Sequence, residues 1–131
     1  MSAEEEVRRA ADTLVSAFGR GDVDAYFACF APDATFLFHT TDRLLRSTEE
    51  YRREWAQWVT EDDFRIVDCT STDPVVQVLG DTAVFTHGVR TTVATTGGQD
   101  VLHERETIVF ALQDDGRWLG VHEHLSPAPG S

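Results

Sequence analysis

Arg117-Trp118-Leu119-Gly120-Val121-His122-Glu123-His124-Leu125-Ser126 reads as a β-strand, and its two faces set the terms for the rest of the chain. At period two, Leu119, Val121, Glu123 and Leu125 form one row, opposite Trp118, Gly120, His122, His124 and Ser126. A carboxylate therefore stands in an otherwise apolar row. Burying Glu123 there is costly unless it faces a polar hollow, pairs with a cation or keeps its proton. The remaining segments read as the walls of that hollow.

Upstream of this strand the chain has a β-type period. Phe64 to Thr70, Val75 to Leu79, Thr82 to Thr95 and Val101 to Leu112 are β-rich runs, broken at Asp73-Pro74, Gly80-Asp81, Gly97-Gly98 and Asp114-Asp115-Gly116. Such short turns predict antiparallel hairpins. In the runs at Thr82 and Val101 neither alternating row is cleanly polar, so both sheet faces are expected to be partly covered. Helices and a pocket would cover one face, and a second copy of the chain, through a two-fold interface on the outer sheet face, would cover the other.

Before residue 64 the period is helical. Ser2 and Glu5 form a capping box, followed by Val7, Ala11, Leu14 and Phe18 at helical spacing, with Gly21 as the stop signal. Asp22 is placed to cap a second helix that carries Val23, Tyr26, Phe27 and Phe30 and ends at Pro32. Thr35 to His39 is a short β run. Ser47 and Glu50 then make a second capping box, opening a helix with Tyr51, Trp55 and Trp58 on one face. Three large rings on one stripe are ordinary core or the wall of a pocket, and a pocket lined by core aromatics satisfies both readings.

Composition narrows the function. At 131 residues the chain suits one domain, read here as residues 1–126 with a disordered tail at 127–131. A net charge of -12 argues against nucleic acid and anionic membrane surfaces. All 11 basic residues are Arg, and without a Lys there is no Schiff-base chemistry, no pyridoxal phosphate attachment and no P-loop lysine. Cys29 and Cys69 lack CxxC spacing and read as reduced packing residues. With no apolar run of membrane length and an acidic Met1-Ser2-Ala3-Glu4-Glu5-Glu6 start, a cytoplasmic protein is expected.

Two stretches carry a family likeness. Gly21-Asp22-Val23-Asp24-Ala25-Tyr26-Phe27-Ala28-Cys29-Phe30-Ala31-Pro32-Asp33-Ala34-Thr35-Phe36 resembles the second-helix signature of SnoaL-like and ketosteroid isomerase-like proteins. The closing strand from Gly116 to Ser126 resembles that of SnoaL-like proteins and of the association domain of calcium/calmodulin-dependent kinase. The resemblance, to the nuclear transport factor two-like superfamily, implies an α+β fold: a cone-like curved antiparallel sheet wrapped around an N-terminal helical hairpin and a third helix. Activity does not follow from it, since that fold hosts enzymes and silent modules alike.

Carried over residue by residue, the resemblance places Phe38 where ketosteroid isomerases hold the general base and Leu14 where they hold a tyrosine donor. Their later acidic donor falls near Arg105 or Thr107. Steroid isomerisation by that mechanism is disfavoured. Against the kinase association domain, whose inner arginines hold acidic ligands, Arg90 is retained while Val109 and Leu125 replace the other two. That register turns Val121, Glu123 and Leu125 inward.

The candidate catalytic residues are thus Glu123 as acceptor or base, Arg90 as its inward cationic partner, and His39 as a substitute acid/base. A structural Arg90–Glu123 salt bridge is the competing explanation. Tyr26, Phe36, Phe38, Trp55, Trp58, Thr107 and Val121 are the candidate ligand-binding residues. No metal site is expected: His122 and His124 share a face, but Glu-x-x-His is absent. His103-Glu104-Arg105-Glu106 reads as cross-strand charge pairing at a surface. The expected protein binds a hydrophobic or aromatic small molecule and acts on it by acid/base chemistry with no cofactor, or binds or oligomerises without catalysis.

Overall fold

A computed structural model describes residues 1–130. Ser2 opens α1 (Ala3–Gly19) with both halves of the capping box made: its Oγ accepts from the Glu5 amide, and the Glu5 carboxylate accepts from the Ser2 amide. Val7, Ala11, Leu14 and Ala17 are the buried stripe. Asp22 then caps α2 (Val23–Phe27) by accepting from the Ala25 amide. This helix is shorter than expected. The chain is already extended at Phe30, and Pro32 sits inside β1 (Phe30–Phe38) instead of terminating a helix. β1 is an edge strand, where the missing N–H of a proline leaves no ladder bond unmade.

Ser47 caps α3 (Thr48–Asp62) by accepting from the Glu50 amide at 3.0 Å, while the Glu50 carboxylate turns to the Arg46 amide at 3.2 Å. The helix stops at Asp63, whose φ of 52° is left-handed. Four long strands follow: β2 (Arg65–Leu79), β3 (Thr82–Thr95), β4 (Gly98–Leu112) and β5 (Trp118–Pro127). They form an antiparallel meander, and β1 joins it in parallel beside β5, giving the order β1-β5-β4-β3-β2.

Asp73-Pro74, expected as a break between two strands, is a bulge within β2. Thr72 pairs with Gly88 and Val75 with Thr86, so Asp73 and Pro74 together oppose one residue of β3. A second bulge lies near Ile66, and a third at Val121, the residue left over where Val109 pairs with His122 and Phe110 with Gly120. Each bulge bends its strand and increases its twist, so the sheet curves without closing. Beyond the expected domain end at Ser126, Pro127 belongs to β5 and the Ala128 amide donates to the His103 carbonyl at 2.9 Å. Ser131 lies outside the described residues.

The core lies between the helices and the inner sheet face. Phe36, Phe110, Leu14, Leu45, Ile108 and Val7 are among its fully buried side chains, each such burial contributing about 1.5–3 kcal/mol. Glu123 is the one carboxylate in that group among the described residues. No helix among them is long and apolar enough to cross a membrane.

Candidate functional site

A cavity of about 250 Å³ opens between the three helices and the inner face of the sheet. Its walls are aromatic. Trp55 and Trp58 come from α3, Tyr26 from α2, Phe18 from α1, Phe38 from β1, and Phe64 from the entry to β2. The rings brace one another, with centroids 5.7 Å apart for Tyr26 and Trp55, 5.8 Å for Phe18 and Trp55, and 5.5 Å for Trp58 and Phe64. Tilted and edge-on packing at such distances fixes each ring and leaves a shaped apolar space.

The floor is polar. His87, Thr91, Glu104 and Glu123 are the buried polar residues among those described, and all four line this cavity, joined by the partly buried Glu106. Strand register explains the gathering. Across the β3–β4 hairpin His87 lies opposite Glu106 and Val89 opposite Glu104, and in the next pair Ile108 lies opposite Glu123. Alternation turns all of these to one face.

Each floor residue has a defined partner. Glu123, 2% exposed, accepts from the Tyr26 hydroxyl at Oε1 (3.1 Å), and the Tyr51 hydroxyl lies 3.0 Å from that of Tyr26. Tyr26 has one proton to give, so Tyr51 donates to Tyr26 and Tyr26 to Glu123. The other carboxyl oxygen, Oε2, has no partner. Burial pushes the Glu123 carboxyl well above the usual range, the nearby Glu106 and Glu104 carboxylates push the same way, and only the Tyr26 bond opposes them. Ionising Glu123 uncompensated would cost several kcal/mol, which one phenolic hydrogen bond does not offset, so the proton stays. Burial pushes both phenols well up, so they too remain protonated.

Two histidines hold the other acids. His39 Nε2 stands 2.5 Å from Glu104 Oε2, and His87 Nε2 stands 2.7 Å from Glu106 Oε1. Burial raises Glu104, and its contact with His39 lowers it in part. The opposite nitrogen of His87, Nδ1, meets the Ser71 hydroxyl at 2.6 Å. Ser71 is exposed, so the chain Glu106–His87–Ser71 links the cavity to solvent as a continuous hydrogen-bonded path.

The structure brings together Glu123, Tyr26, Phe38, Trp55 and Trp58 in the cavity lining, and His39 reaches it through Glu104. Four expected residues stand elsewhere. Arg90 is exposed on the outer face of β3, opposite Thr70 and His103, and makes no pair with Glu123. The inward row of β3 is Ala83, Phe85, His87, Val89, Thr91 and Val93, so Arg90 falls on the wrong parity. Thr107 is likewise outward, opposite Thr86 and His124. Val121 is the bulged residue, half-buried and outside the lining, because the bulge resets the inward row of β5 to Glu123 and Leu125. Phe36 is wholly buried behind the wall, 4.6 Å from the Tyr51 ring centroid.

Sequence reasoning missed His87, Glu104, Glu106 and Tyr51 as floor and network residues. A register count would have found the face of the first three: the turn falls at Thr96-Gly97, which sets His87 opposite Glu106 and Val89 opposite Glu104, and the break expected at Gly97-Gly98 shifts those pairs by two residues and keeps the same face. His122 is on the outer face, its Nδ1 2.8 Å from the Thr35 hydroxyl, and burial followed by the neighbouring His124 pushes its pKa down. No group of three or more His, Cys, Asp or Glu among the described residues is placed to hold a metal ion.

Helices packed into a bent, open five-stranded sheet, with a pocket between them, define a nuclear transport factor two-like fold. Residues 7–130 match the SnoaL-like domain, and the chain belongs to that family. Similar solved structures include a ketosteroid isomerase-like protein from Erwinia carotovora atroseptica, 18% identical, with a TM-score of 0.79 over 96% of this chain and 97% of that one. The CaMKII hub of S. rosetta is 24% identical, with a TM-score of 0.78 over 98% of both chains. An NTF2-like protein of unknown function from Pseudomonas putida is 21% identical, with a TM-score of 0.78 over 95% of this chain and 85% of that one. No curated protein matches the chain significantly. At these identities the solved structures bear on fold alone.

Proposed function

We propose that this protein binds a hydrophobic or aromatic small molecule in the cavity and acts on it by acid/base chemistry without a cofactor, in the manner of an isomerase, cyclase or hydrolase. The observation that carries the reading is Glu123, a residue of the aromatic-walled cavity lining whose Oε2 is buried and unpartnered. A protonated carboxyl there is a general acid or hydrogen-bond donor for a ligand oxygen, held in place by Tyr26 and Tyr51. The Glu104–His39 and Glu106–His87 pairs supply bases on the same floor, and the Ser71 path would return protons to solvent. Arg90 has no part in this chemistry.

Thermal stabilisation by a panel of polycyclic aromatics, steroids, aromatic amines and small carboxylic acids tests the reading, with Trp58→Ala and Glu123→Gln as controls. Stabilisation by one class, reduced in Trp58→Ala, would support binding, and turnover of that class lost in Glu123→Gln would support catalysis. No stabilisation by any compound would refute it.

A second reading, an oligomerisation module, is favoured by the outer face. Val75 is 56% exposed and Val101 44% exposed, and one similar structure is a kinase hub. We infer a homodimer through that face, which light scattering after size-exclusion would test. A monomer at micromolar concentration would refute it. The thiols of Cys29 and Cys69 are free, in keeping with a cytoplasmic home.

A further inference from the structure

We infer that the ligand of this cavity is an amine: a small molecule with an apolar, ring-bearing body and a protonated nitrogen that seats against Glu123. The inference rests on reading the cavity as a binding site and specifies its chemistry.

The electrostatics are one-sided. Glu104, Glu106 and Glu123 face the same space, and no arginine lines it. The sequence has no lysine, so His39 and His87 are the sole nearby groups able to carry positive charge, and each is already engaged by one glutamate. Glu123 has no such partner. Its Oε1 takes the Tyr26 proton while Oε2 meets nothing, in a side chain only 2% exposed. An acid in this position either retains a proton or meets a cation, and a ligand's ammonium N–H would satisfy Oε2 directly.

The walls agree. Tyr26 bonds the carboxyl with Tyr51 behind it, Trp55 and Trp58 line the same cavity, and aromatic faces attract ammonium groups once water is excluded. An acidic ligand would meet Glu104, Glu106 and Asp62 without a compensating arginine. A neutral ligand oxygen would accept a hydrogen bond from the protonated carboxyl but would bring no positive charge to this acidic space. The proton balance is explicit: the ammonium enters with its charge, Glu123 gives its proton to solvent, and the carboxylate–ammonium pair forms. No covalent bond changes. The groups facing Glu123 in this exchange are Glu106 and Glu104 of β4, His87 of β3, Tyr26 of α2 and Tyr51 of α3.

Three probes of one shape separate the possibilities: 2-phenylethylamine, 2-phenylethanol and 3-phenylpropionate, titrated calorimetrically at pH 7 in two buffers of different ionisation enthalpy. The amine is expected to bind at least about tenfold more tightly than the alcohol, with the carboxylate weakest and about one proton released per amine bound. Glu123→Gln should abolish both the amine preference and the proton release while still binding the alcohol. Should that variant fail to fold, Glu106→Gln must weaken the amine preference instead. Equal or tighter binding of the alcohol or the carboxylate would overturn the amine inference and leave the small-molecule reading standing. Binding of none of the three would overturn the amine inference, and the thermal panel decides the small-molecule reading separately.

Discussion

Glu123→Gln should make the protein more stable at neutral pH and leave it unchanged in acid. The amide keeps the shape and the Oε1 acceptor for Tyr26 and carries no titrating proton. In the folded protein the Glu123 carboxyl is raised well above its ordinary value of 4.5, first by burial and then by Glu106 and Glu104. In the unfolded chain it is an ordinary carboxyl. Between those two values the folded state holds a proton that the unfolded state has released, so raising the pH favours unfolding. The contribution is fully present below the unfolded value and is lost as pH rises towards the folded one. One proton of difference corresponds to about 1.4 kcal/mol of stability per pH unit. The variant's advantage should therefore grow by about 1.4 kcal/mol for each unit above pH 5, until the folded Glu123 itself ionises. Urea unfolding of both proteins at pH 4, 5, 6 and 7 reads this directly, because the difference between them cancels the other titrating groups. Stability curves that run parallel across this range would show that Glu123 is ionised when folded and would refute the protonated-acid reading of the site.

Three further substitutions test other parts of the structure. A Cβ on Gly120 would lie 2.7 and 2.9 Å from two atoms of the Phe30 ring, which is packed in the core, so Gly120→Ala should destabilise by about 1–3 kcal/mol in urea; an unchanged midpoint would contradict the packing. Asp63→Gly should gain up to about 1 kcal/mol in thermal unfolding, because it relieves a left-handed φ of 52° at the end of α3; a loss would show that the Asp63 side chain contributes more than the backbone costs. Burial pushes the Cys69 thiol up to about 11, so in a Cys29→Ser background it should react with a thiol reagent at pH 8 about a hundredfold more slowly than in urea; equal rates would refute the burial.

Much of this was legible before any coordinates. The Ser2–Glu5 box, the aromatic stripe of α3 and the glycine-marked hairpin between β3 and β4, whose turn falls one residue early at Thr96-Gly97, are local signals, and local signals are what a sequence states openly. Glu123 was legible for a related reason: a carboxylate in an apolar strand row is anomalous at the scale of five residues. The failures came where a single residue changes parity. The resemblance to the kinase association domain turns Arg90 inward, although its neighbours His87 and Val89 alternate the other way. Val121 was turned inward because a bulge leaves no mark on a period-two count. Asp73-Pro74 has the composition of a turn and the geometry of a bulge, and what decides between them is the partner strand β3. The His39–Glu104 contact joins the end of β1 to the middle of β4, a meeting fixed only once β5 has been laid between them.

That placement of β5 governs when the molecule can form at all. β1 leaves the ribosome early, yet its ladder partner is the last strand of the chain, with Phe30 beside Gly120 and Phe38 beside Leu125. Four elements, α3 and β2 to β4, are synthesised in between. At about 5–20 residues per second, the aromatic wall of α2 and α3 waits several seconds for the strand that completes its floor. Until then Tyr26, Trp55 and Trp58 have no sheet closed beneath them, and the nascent chain presents its most adhesive surface to the cell. The acidity of the helix starts, with Glu4, Glu5 and Glu6 in the first turn of α1 and Glu49 in that of α3, sets like charge against association of such waiting chains.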